Sequence, residues 1–74
     1  MPKLSPQKPR EVVSKLKKLG FFIDHVSGSH YIMFNPTTKT RIPIPYHIKD
    51  LKIGTLRSII RQTGLTVEQF IKER

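Results

Sequence analysis

These 74 residues predict an α+β fold, a three-stranded antiparallel sheet with helices packed on one face. Three observations carry the expectation. Apolar residues recur at helical spacing near both ends of the chain, and β-forming residues crowd the middle between two turn signals. The length suits one domain and no more. Covering one face of an antiparallel sheet is the simplest way for such stripes to bury one another.

Residues 1–8 are Pro-rich and polar and read as a flexible basic arm, leaving 9–74 as a single domain. Pro9 suits the first position of a helix, where its missing N–H costs nothing. Glu11 lies in the first turn, where its charge suits the helix N-terminus. Val12, Val13, Leu16 and Leu19 form one apolar stripe, with Lys15, Lys17 and Lys18 outside it. Gly20 supplies the left-handed residue that stops the helix.

The period then changes. Residues 21–26 read as a strand, Ser27-Gly28 as a turn and 29–34 as a second strand. Asn35-Pro36-Thr37-Thr38-Lys39 reads as a hairpin loop. Residues 40–44 form a third strand with Ile42 and Ile44 on one face and Arg41 and Pro43 on the other. A proline inside it predicts a sheet edge. Thr55 is the expected N-cap of a second helix whose stripe is Leu56, Ile59 and Ile60, with Arg57 and Arg61 sharing another face. Gly64 ends it. Thr66 and Gln69 have capping-box spacing for a last short helix over 67–74, with Val67, Phe70 and Ile71 buried.

Charge narrows the function. Fourteen Lys and Arg against five Asp and Glu leave +9, a field that attracts polyanions. No long helix pairs a basic face with a bulky apolar one, which disfavours a lipid surface as partner. Nucleic acid and an acidic protein remain. There is no cysteine, as befits a reducing compartment. The first residues have no signal-peptide apolar core, and no stretch approaches the roughly 20 apolar residues of a membrane span. The expectation is a soluble cytoplasmic chain.

Metal chemistry has little to work with. His25, His30 and His47 are far apart in sequence, and five scattered acids do not make a two-metal nuclease site, so no metal and no cofactor is expected. Metal-free acid–base chemistry fits better. RNA brings its own nucleophile, the 2′-OH, and needs only proton transfer and charge stabilisation. Histidine is the natural proton carrier. His30 is the best placed, after Gly28-Ser29 at a strand start, where a turn lets a phosphate backbone approach. Its alternative is a strand histidine that fills space. His47 suits a hydrogen bond fixing a Pro-rich connection, and His25 a solvated surface position. Phe21, Phe22, Phe34 and Phe70 are expected in the core. Tyr31 and Tyr46 remain as possible base contacts.

Gly20-Phe21, Gly28-Ser29-His30, Ile44-Pro45-Tyr46-His47 and the run Ile53-Gly54-Thr55-Leu56-Arg57-Ser58-Ile59-Ile60-Arg61-Gln62-Thr63-Gly64, in that order and spacing, resemble the landmarks of the HicA toxin family. The resemblance runs from about Pro9 to Phe70. One departure is visible, Lys8-Pro9 where a small polar cap is usual. The resemblance implies the fold of a double-stranded-RNA-binding domain, order α-β-β-β-α with a short extra C-terminal helix here. It implies ribosome-independent mRNA cleavage that halts translation, with the Gly-Ser-His histidine, His30, as catalytic residue. It implies a HicB-type antitoxin partner that masks that histidine. In such a scheme Lys39, Arg41 and Lys52 are candidates to hold phosphate, and water, His47 or Tyr31 to give the second proton. The rival expectation is a non-catalytic RNA-binding module of the same fold.

Overall fold

A computed structural model describes residues 4–46 and 49–72. The elements run α1 (Pro9–Lys18), β1 (Phe22–Ser27), β2 (His30–Asn35), β3 (Thr40–Pro45), α2 (Ile53–Thr63) and α3 (Val67–Lys72). The strands form one antiparallel sheet in the order β1-β2-β3. This is the α+β arrangement the sequence predicts, with the α-β-β-β-α order of a double-stranded-RNA-binding domain and α3 appended.

Helix α1 starts at Pro9 as expected. Its N-cap, Lys8, has no side-chain acceptor, so only half of a capping box forms: the Lys8 amide donates to the Glu11 carboxylate at 3.1 Å. At the other end the Phe21 amide donates to the Leu16 carbonyl at 2.9 Å and the Gly20 amide to the Lys17 carbonyl at 3.2 Å. With Gly20 at φ +98, this is a Schellman motif, and Phe21 and Leu16 complete it by burying together in the core.

The sheet has one covered and one open face. Met33, Ile42 and Ile44 are fully buried beneath the helices. His30, Ile32 and Phe34 alternate with the covered residues of β2, and Phe22, Arg41, Pro43 and Pro45 pair beside them on the open side. Two of the phenylalanines expected in the core therefore lie elsewhere. Phe22 is 46% exposed and meets Phe34 edge-on at 5.8 Å, while the Arg41 guanidinium sits over the Phe34 ring at 4.4 Å. The cause is register: Phe21, just before β1, takes the core position, so Phe22 and its partner Phe34 point the other way. A bulge between Ile23 and His25 adds a residue, Asp24, to the β1 edge.

Strand β3 is the edge that Pro43 predicts. The Tyr46 amide donates to the Ser29 carbonyl at 2.8 Å. By alternation, positions 42 and 44 also turn their amides to β2, and Pro43 and Pro45 stand where an amide would face outward.

Helix α2 begins earlier than Thr55. Lys52 is its N-cap, extended at φ −66 and ψ 155, and its carbonyl accepts the Leu56 amide at 2.8 Å. Thr55 lies within the first turn, so it caps nothing. Leu56, Ile59 and Ile60 are buried, and Gly64 ends the helix at φ +82. The α3 capping box forms in full: the Thr66 amide donates to Gln69 Oε1 at 2.9 Å and the Gln69 amide to Thr66 Oγ1 at 3.1 Å. Phe70 is buried, with the Lys15 ammonium 5.0 Å from its ring centre.

Residues 4–8, read as part of a flexible arm, touch the fold at two points. Leu4 is buried in the core, and Gln7 bridges Leu51, whose amide donates to the Gln7 carbonyl at 2.7 Å. No helix among the described residues is long and apolar enough to cross a membrane.

Candidate functional site

His30 opens β2 directly after a two-residue turn, since Ser27 pairs with His30 across Gly28-Ser29. Gly28 has φ +58 and Ser29 a negative φ, the signature of a type II′ hairpin turn with glycine first. The turn thus fixes His30 at the end of the central strand, between Ser27 and Pro45. Its side chain is exposed.

The imidazole lines an open groove of about 470 Å³ between the β3 edge and α2. His30, Pro43 and Pro45 form one wall, and Gly54, Thr55, Ser58, Ile59 and Gln62 the other. Gly54, Ser58 and Gln62 are spaced four apart, so they share one face of the helix. These small polar residues are the part of the site that reading for titratable groups passes over. Their signal is that same spacing, and nothing in it distinguishes a groove from ordinary helix surface.

The start of α2 shapes the electrostatics here. Lys52 makes no side-chain cap, and the first turn holds no acidic residue. The first amides of a helix have no partner within it and carry partial positive charge. With Gly54 and Thr55 in the groove wall, that charge lies beside His30, and Lys52 is two residues from the wall.

The other candidates divide by position. Gly28 and Ser29 adjoin His30 in the turn. Tyr31 follows His30 in a strand and so leaves from the opposite, covered face, where its ring stacks on Tyr46 with centroids 4.0 Å apart. Arg41 pairs with Phe34, four residues or about 13 Å along β2 from His30. There it sits 3.7 Å from the Asp24 carboxylate, which also binds His25 Nδ1 at 2.8 Å. Lys39, at φ +58, belongs to the β2–β3 loop at that far end. Of the three cations, Lys52 alone adjoins the groove. His47 lies outside the described residues. Among the described residues, no three His, Asp or Glu side chains gather as metal ligands would.

The family model of the HicA toxin of bacterial toxin–antitoxin pairs matches residues 9–65. The chain belongs to the HicA toxin family. The match takes in α1, the whole sheet and α2, and so both walls of the His30 groove, while α3 lies beyond it. No curated protein matches the chain. As a HicA-family toxin, it is one half of a toxin–antitoxin pair, with an antitoxin as its partner.

Proposed function

We propose that this HicA-family toxin is an endoribonuclease that cuts mRNA independently of the ribosome, without metal or cofactor, and so halts translation in the cytoplasm. The observation that carries the reading is the placement of His30, an exposed imidazole in a groove walled by the uncapped first turn of α2. An imidazole beside an anion-attracting helix end is what 2′-OH chemistry on a phosphodiester asks for.

In this reading the scissile phosphate lies against the first turn of α2, with Lys52 supplying further positive charge. His30 accepts the 2′-OH proton as O2′ attacks phosphorus. The O2′–P bond forms and the P–O5′ bond breaks, leaving a 2′,3′-cyclic phosphate and a 5′-OH. The proton for the leaving oxygen comes from water or His47. Tyr31 fits that role poorly because it leaves the strand on the covered side. Gly28 and Ser29 keep the approach to His30 low. A HicB-type antitoxin seated over the groove would mask His30 and silence the toxin.

Purified protein, incubated in EDTA with a structured RNA and a DNA of the same sequence, tests the reading. RNA fragments ending in cyclic phosphate, with the DNA intact, are expected. One imidazole in the groove also favours a second reading, binding without turnover. Intact RNA with a salt-sensitive mobility shift would establish that instead.

A further inference from the structure

Pro45 and Tyr46 are consecutive residues, yet they line different clefts. Pro45 belongs to the His30 groove, and Tyr46 to a second, smaller cleft of about 160 Å³. The rest of its wall is Lys8, Pro9, Arg10 and Lys49. Three of these five residues carry positive charge and none carries negative charge, so the cleft concentrates the charge of the whole chain.

The fold brings these groups together from distant segments. Lys8 and Arg10 flank the start of α1, and Lys49 comes from the connection between β3 and α2. The bridge between Gln7 and Leu51 holds the two segments side by side. Tyr46 is fixed from behind: its amide donates to the Ser29 carbonyl at 2.8 Å, and its ring stacks on Tyr31 at an interplanar angle of 15°. Like charges gathered on one small cleft repel each other unless an anion sits between them. The rigid aromatic floor and cationic rim suit a phosphate and its sugar.

We propose that this cleft binds an RNA phosphate close along the strand to the one cut at His30, so that the substrate is held at two points across the Pro45–Tyr46 wall. The inference rests on the RNA reading above and adds to it a second anchoring site. RNA is favoured over an acidic protein segment because the cleft is small and shares its wall with the groove that holds His30.

The test is binding, not cleavage. A short single-stranded RNA with 2′-O-methyl riboses lacks the nucleophile, and its affinity is measured by fluorescence anisotropy across a salt series. The variants are Arg10→Ala/Lys49→Ala in the cleft and Lys17→Ala/Lys18→Ala on the exposed part of α1. Both remove two charges, all four side chains are exposed, and Lys8 is spared because it is the N-cap of α1. The cleft variant is expected to bind about tenfold more weakly at low salt, with a salt slope shallower by about 1.4, while the control stays near wild type. Equal losses in the two variants would overturn the proposal. So would a cleft variant that keeps its RNA affinity but escapes its antitoxin, which would assign the cleft to the protein partner. If wild type binds this RNA but leaves unmodified RNA intact, the nuclease reading fails and the cleft stands. If wild type does not bind, both fail.

Discussion

Gly28 holds φ +58 in the turn before His30, and no atom lies within 4 Å of where its Cβ would be. Space is therefore not the constraint; the left-handed backbone is. Gly28→Ala should cost about 1 kcal/mol of stability and displace His30 at the end of its strand. Thermal unfolding checks the first effect and the cleavage rate the second. Tyr31 offers the complementary test. Its ring stacks on Tyr46 on the covered face, away from the groove, so Tyr31→Phe should cleave RNA at close to the wild-type rate. A rate lost along with the hydroxyl would place that phenol at the reacting atoms. At this scale the Gly-Ser-His triplet was legible because a turn glycine and a strand-end histidine each leave a local mark. The cations were not. Lys39, Arg41 and Lys52 look alike in the chain, and strand pairing alone puts two of them about 13 Å or more from His30.

Elements were legible in kind and order and were displaced at their edges. Leu56, Ile59 and Ile60 announce α2, but a threonine two residues into the helix imitates a cap. The real cap geometry belongs to Lys52, whose side chain has nothing to offer an amide. Thr66, by contrast, exchanges hydrogen bonds with Gln69 in both directions. Thr66→Ala is thus expected to lower stability by about 1 kcal/mol, and Thr55→Ala by much less. Denaturation midpoints of the two variants check the contrast. The strands each begin one residue later than the pattern of β-formers implies. In a period of two, that step decides faces. It sends Phe22 and Phe34 to the open side of the sheet, where Arg41 covers Phe34, and it leaves Phe21 to close the Schellman motif with Leu16. The bulge at Asp24 has no sequence mark at all, since it arises from pairing with β2.

For the molecule as a whole, a thin core and a strong positive field set the terms. Met33 lies at the middle of the central strand and is fully buried. Met33→Ala should cost roughly 2–5 kcal/mol, a large share of what a domain this small commands. A fall in the urea midpoint at constant slope is the expected readout. The net charge of +9 predicted a polyanion partner, and the fold distributes that charge unevenly. Lys8, Arg10 and Lys49 surround one cleft, while the His30 groove is walled by uncharged side chains and the start of α2. The association of α1 with the β3–α2 connection that creates this division is invisible in the sequence, because it joins segments some forty residues apart. The HicA-family match places the chain among toxins, and the groove supplies a chemical reason for toxicity.

That reason is tested most directly by comparing wild type with His30→Ala in one preparation, measuring cleavage of unmodified RNA in EDTA and affinity for the same RNA in uncleavable form. The account predicts fragments from the wild type alone and nearly equal affinity for both proteins. Cleavage that survives the substitution, or binding that is lost together with cleavage, would contradict it and leave His30 a structural residue of the strand.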